Sequence, residues 1–147
     1  MADFFTGMRI SSSGMTAQRT RMNTISSNIA NINTTTTAEG GPYRRKDVVF
    51  EAIPEAKSFG EILSTTDPRQ DFRRVQVTDV TSDRKAPILK YEPDHPDANP
   101  DGYVAYPNIN LMEEMTNMIQ ASRAYEANVS ALQATKDLAL SALEIGR

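Results

Sequence analysis

The chain has 147 residues, a formal net charge of −3, no cysteine and eight prolines, all of them between Pro42 and Pro107. That length suits one ordinary domain. The mild acidity argues against nucleic-acid binding, and the lack of cysteine removes disulfides, thiolate metal sites and cysteine nucleophiles together. The proline distribution splits the chain into an N-terminal arm, a central region and a C-terminal stretch. Their formal charges are +2 for residues 1–33, −3 for 34–107 and −2 for 108–147.

The arm from Phe4 to Asn33 carries Met8, Ser11, Met15, Gln18, Met22, Ile25, Ile29 and Ile32 at helical spacing, six of the eight apolar, so the expectation is an amphipathic helix. Ser11-Ser12-Ser13-Gly14 is a weak run inside it, because serine competes for backbone hydrogen bonds and glycine costs about 1 kcal/mol against alanine. Asn28, Asn31 and Asn33 alternate with small and Ile residues before the β-branched tract Thr34–Thr37. They are expected to end the helix and to form interhelical hydrogen bonds that fix register, as a buried asparagine does in coiled coils.

The centre predicts short strands at Lys46–Ile53, Arg74–Val80, Ile88–Tyr91 and Tyr103–Tyr106, in a small half-exposed sheet. On the second strand Val75, Val77 and Asp79 face one way and Gln76, Thr78 and Val80 the other. Residues 54–74 lack periodicity and are expected to form a mobile loop. The basic groups Arg44-Arg45-Lys46, Arg73-Arg74 and Arg84-Lys85 are flanked by acids, which suits solvated faces or ion pairs between subunits. Asp97-Ala98-Asn99-Pro100-Asp101-Gly102 fits the first half of an EF-hand loop, but position twelve is Asn108 instead of glutamate. The segment is therefore expected to make Asx-type turns, with no metal bound. His95, the one histidine, has no nucleophile motif or second ligand at helical spacing; no catalytic site and no cofactor are expected.

The last forty residues, Asn108–Arg147, predict one long helix. Asn110 is placed to cap it by accepting the Glu113 amide, with Glu113 and Glu114 in the first turn, where the helix dipole favours carboxylates. At about 1.5 Å per residue it is roughly 55 Å long, more than a compact globule of this size needs. Its seam runs through Leu111, Met115, Met118, Ser122, Tyr125, Val129, Leu132, Lys136, Ala139 and Leu143, with only Ser122 and Lys136 polar. The two stripes are expected to pair within a subunit and still leave Ile119, Ala127, Ala131, Leu138 and Ile145 for neighbours.

Gly14-Met15-Thr16-Ala17-Gln18 followed by Ser26-Ser27-Asn28-Ile29-Ala30-Asn31 resembles the N-terminal signature of bacterial flagellar axial proteins. Gly40–Lys46, Val48-Val49-Phe50, His95-Pro96-Asp97, Asp101–Val104, Tyr106-Pro107-Asn108, Glu114-Met115 and Ala121–Asn128 resemble the proximal-rod branch of that family. The resemblance covers both ends and most of the centre; 54–74 matches nothing in it, and Thr24 stands where a bulkier aliphatic is usual.

The resulting expectation is an α+β chain in three parts. Residues 1–35 and 108–147 form the helices of an inner tube, paired as a coiled-coil-like hairpin, and 36–107 a small β-rich domain. The resemblance implies a non-catalytic subunit of the basal-body rod, built by helix packing into a helical tube that transmits motor torque. It implies contacts with its own copies, neighbouring rod proteins, the basal ring and the export apparatus, without nucleic acid or membrane insertion. It further implies type III export of unfolded monomers whose ends order on assembly; the N-terminus shows no Sec-type signal pattern. The assembly surface is assigned to Met15, Met22, Ile25, Asn28, Ile29, Asn31, Ile32, Leu111, Met115, Met118, Ser122, Tyr125, Val129, Leu132, Lys136 and Leu143. The alternatives are another axial protein or a type III-secreted helical adaptor.

Overall fold

A computed structural model describes residues 2–54 and 72–145. Helix α1 spans Ala2–Ala30 and does not break at the serine run. Ser13 donates to the Ile10 carbonyl at 2.7 Å, and Thr16, Thr20 and Thr24 each donate to the carbonyl four residues back at 3.0–3.1 Å, so hydroxyls that compete with a helix are here satisfied inside it. The helix stops three residues before Asn33. Asn31 closes it, its side chain donating to the Ser27 carbonyl at 2.8 Å and accepting from Thr34 at 3.1 Å.

Strand β1, Lys46–Pro54, pairs antiparallel with β2, Arg73–Ser82. The strands thus take both ends of the expected loop, Pro54 and Arg73-Arg74, while residues 55–71 lie outside the described residues. Val49 pairs with Asp79 but Phe50 pairs with Val77. Thr78 is the extra residue of a bulge, its hydroxyl donating to the Val49 carbonyl at 3.3 Å, and the alternation expected along Arg74–Val80 breaks there.

Strands β3, Ile88–Tyr91, and β4, Tyr103–Tyr106, form a second antiparallel hairpin. The expected single sheet is therefore two separate two-stranded sheets. Neither has a second layer of its own, and a two-stranded hairpin is at best marginal alone in water. The β1–β2 hairpin solves this by lying on α1, where the Val75 amide donates to Ser13 Oγ at 3.2 Å.

Helix α2 spans Leu111–Ile145. Its cap is Asn110, as expected, but Oδ1 accepts the Met112 amide at 3.1 Å instead of that of Glu113. Among the described residues no helix is long and apolar enough to cross a membrane.

The two helices pack against each other. Asn28 meets Glu114, and the Gly14 backbone meets Asn128. These meeting points are fourteen residues apart on each helix and run in opposite directions, so the pair is antiparallel and keeps its register for about four turns. The buried residues on this seam are Ala17, Ile25 and Asn28 from α1 and Glu114 and Ala121 from α2. A second buried group, Val104, Pro107 and Ile109, sits where β4 leads into α2.

This corrects the expected seam. The inward row of α2 is Glu114, Ala121 and Asn128, seven residues apart, with Met118, Tyr125, Val129 and Leu132 half-buried beside it. Leu111, Met115, Lys136 and Leu143 are exposed. A Cβ on Gly14 would lie 2.9 Å from Asn128 Oδ1. The helices approach so closely that only glycine fits at this contact and alanine at Ala17 and Ala121, and the large apolar side chains are left on the outside.

Candidate assembly site

Where α1 ends, β1 begins and α2 begins, five residues form one polar cluster. Asn28 is fully buried and uses its whole amide. Nδ2 donates to the Lys46 carbonyl at 2.8 Å and to Glu114 Oε2 at 2.9 Å; Oδ1 accepts from the Lys46 amide at 2.9 Å and from the Tyr43 hydroxyl at 3.1 Å. Glu114, 1% exposed, accepts through its other oxygen from Arg45 Nε at 2.8 Å. Arg45 also reaches Asp47 at 3.2 Å, and Tyr43 lies 3.3 Å from Ser27 Oγ.

A buried carboxylate is costly unless it is paired and hydrogen-bonded. Here both oxygens are engaged, and the Asn28 amide has its two donors and two acceptor positions filled. Burial alone would lower the Arg45 pKa; the hydrogen bonds to Glu114 and Asp47 outweigh it and hold the pKa above its ordinary value. The cluster can therefore set the axial register of α1 on α2, since sliding either helix by one turn, about 5.4 Å, would strand Glu114.

Sequence reasoning identified Asn28 as a register residue and missed its partners. The expectation puts Glu114 at the helix dipole and Arg45 on a solvated face or in an ion pair between subunits, whereas the two pair within the subunit. The available signal was the seven-residue spacing of Glu114, Ala121 and Asn128, a seam made of polar and small residues instead of apolar ones.

The remaining assigned residues fall into three groups. Ile25 and Asn28 are buried within the subunit. Met15, Met22, Ile29, Asn31, Ile32, Met118, Ser122, Tyr125, Val129 and Leu132 are half-buried along the flanks of the helix pair. Leu111, Met115, Lys136 and Leu143 face solvent. With Met112, Ile119, Leu138 and Leu140, three of these leave apolar surface along both halves of α2, up to 72% exposed at Leu138. Isolated exposed leucines are ordinary, but the cluster of Leu111, Met112, Met115 and Ile119 on one side of the first turns of α2 marks an interaction surface.

The segment with EF-hand-like spacing is a set of turns. The Gly102 amide bonds the Asn99 carbonyl at 2.8 Å, Asp97 accepts from Thr35 at 2.7 Å, and Asn108 donates to the Ala86 carbonyl at 3.3 Å. His95 Nδ1 accepts the Asp97 amide at 3.1 Å. Among the described residues no group of three or more His, Asp or Glu is arranged to hold a metal ion.

Comparison with known proteins matches residues 8–36 to the family described as flagella basal body rod protein and residues 101–145 to the flagellar basal body rod FlgEFG protein C-terminal family. The two matches cover α1 from Met8 onward and the segment running from β4 through α2. The chain is 40% identical to the flagellar basal-body rod protein FlgC of Borreliella burgdorferi, over 96% of each chain. It is 40% identical to FlgC of Bacillus subtilis, over 97% of this chain and 98% of the relative. To FlgC of Escherichia coli O157:H7 it is 39% identical over 94% of each.

Proposed function

The chain belongs to the FlgC family of flagellar basal-body rod proteins, and from that premise we propose how its geometry serves the rod. It is a structural subunit of the flagellar basal-body proximal rod. Residues 1–35 and 108–147 form the inner wall of a helical tube, as a coiled-coil-like antiparallel pair, and 36–107 form the outer part. The observation that carries this reading is the apolar outer face of α2, Leu111, Met112, Met115 and Ile119, which no described residue of its own subunit covers fully.

An interface between two different faces of identical or similar subunits forms a ring where its rotation closes and a helical array where it does not, and the rod is the second case. Neighbouring helices, from copies of this chain and from other rod proteins, complete the cover over that face. The subunit catalyses nothing; its work is mechanical. Within each subunit the buried polar cluster holds the helix pair in register under load, because an axial slip of one helix on the other would strand a carboxylate. Export in an unfolded state, with the ends ordering on assembly, accounts for apolar faces that a free monomer would leave wet.

Deletion of the chain tests this reading. The expected result is a non-motile cell whose purified basal bodies lack a complete rod. Normal rods in the deletion strain would overturn it, and secretion of the chain as a free protein from cells with normal rods would favour the adaptor alternative.

A further inference from the structure

The β3–β4 hairpin carries an aromatic, acidic turn at one end and a basic, proline-lined cleft at the other. At the turn end Tyr91 and Tyr103 pair across the strands in a T-shaped contact, ring centroids 5.3 Å apart. Tyr91 is 65% exposed, with its ring packed against Tyr103 and Gly102. Gly102 has a φ of 80°, and a Cβ there would lie 2.8 Å from the Tyr91 ring, so the ring rests on bare backbone. Leu89, on the same face as Tyr91, is also exposed. The loop between the tyrosines holds Glu92, Asp94, Asp97 and Asp101 against a single histidine. An exposed aromatic whose rotamer is already restricted by its neighbours loses less entropy on burial, which is the property of an interface anchor.

At the base end lies a cleft of about 140 Å³ lined by Pro42, Arg44, Lys85, Pro87, Pro107 and Asn108, with Pro87 and Pro107 directly flanking the strands. It is well below the roughly 300–1,000 Å³ of small-molecule sites and is the size of a side chain. Arg44 and Lys85 are exposed at it, whereas Arg45 is committed to Glu114. Asp83 lies 3.7 Å from Lys85 and leaves the cleft with a surplus of positive charge.

The two ends are separated by a four-residue hairpin, about 10 Å at roughly 3.4 Å per residue, so one molecule cannot bring its own turn into its own cleft. We propose that the turn end of one subunit docks in the base cleft of the next copy of this chain, Tyr91 lying against the prolines and Asp94 and Asp101 facing Arg44 and Lys85. The contact joins different faces of two copies, repeats without closing, and adds an outer connection to the helix packing of the tube. It rests on the reading of the chain as a rod subunit.

The absence of cysteine makes the test direct. Cells carrying the double variant Asp94→Cys/Lys85→Cys are grown, their rods purified and oxidised, and the chains separated without reductant. The expected result is a ladder rising in steps of 16.3 kDa, with no dimer band from rods of either single variant. Rods that contain the double variant and give no ladder overturn the docking while leaving the subunit reading intact. A dimer band from a single variant overturns it too, because it shows a like-to-like contact. If wild-type rods lack the chain altogether, the subunit reading fails and the docking with it. Both positions are exposed; should the double variant not assemble, Asp101→Cys with Arg44→Cys reads the same contact.

Discussion

Asn28 and Glu114 stand 86 residues apart in the sequence and meet at 2.9 Å with almost no surface of either exposed. This one contact joins the end of α1 to the start of α2, and through Lys46, Tyr43 and Arg45 it also fixes where β1 departs. The exposed faces of both helices are oriented by it.

Replacing Asn28 by Leu leaves the Lys46 backbone groups, the Tyr43 hydroxyl and one oxygen of Glu114 without their partner. Unsatisfied buried groups cost about 1–3 kcal/mol each, with some recovery by relaxation, so the variant should lose about 3–5 kcal/mol. Asn28→Asp should lose more at neutral pH, because it sets a second carboxylate against Glu114. That excess should shrink as pH falls and one of the two carboxyls takes a proton. Urea midpoints of the purified chain at neutral and acidic pH measure both effects.

Gly14→Ala gains about 1 kcal/mol of helix propensity but drives a Cβ to within 2.9 Å of Asn128 Oδ1. Asn128 cannot swing away freely, since its Nδ2 is held on the Ala124 carbonyl at 2.8 Å. The expected net result is a loss of about 1–2 kcal/mol, recovered when Asn128→Ala is added. A double-mutant cycle by chemical denaturation shows the coupling; a stabilised Gly14→Ala single variant would contradict the close approach.

Hydrogen bonds from Thr35 and Thr36 hold Asp97 below the ordinary carboxylate range. A depressed folded pKa contributes stability that is present above the unfolded value of 3.8 and is lost as pH falls through the folded value. Thr35→Val should move the Asp97 titration up towards 3.8 and loosen the loop that follows α1. A carboxyl NMR titration of both proteins follows the shift directly.

Leu132 lies half-buried in a groove with Phe5 and Met8. Leu132→Asp should abolish assembly, whereas Lys136→Leu, at an exposed position, should keep the helix and alter subunit packing or solubility. Recovery of rods and swimming from the two strains separates these outcomes.

How much of this was legible before the fold was known differs from one element to another. The strands were located to within two residues because Lys46–Ile53, Arg74–Val80, Ile88–Tyr91 and Tyr103–Tyr106 are bounded by turn residues and rich in β-formers. The antiparallel helix pair followed from two stripes of matching period. The face of α2 that turns inward did not follow, because an apolar stripe reports that something will cover it and not what. Leu111, Met115 and Leu143 lie outside the pair while Glu114, Ala121 and Asn128 lie within, since Gly14 and Ala17 admit only a close approach. Glu114 was illegible for a related reason: a first-turn carboxylate serves the helix dipole equally well exposed or buried, and only the arrival of Arg45 and Asn28 decides. Thr78 shows no feature that announces a bulge.

Electron cryo-microscopy of basal bodies containing this chain tests the central claim most directly. The account predicts proximal-rod density in which α1 and α2 line the inner wall, with the Leu111–Ile119 face covered by a neighbouring helix and both hairpins outward. Rods in which that face meets solvent, or in which the hairpins line the channel, would contradict it.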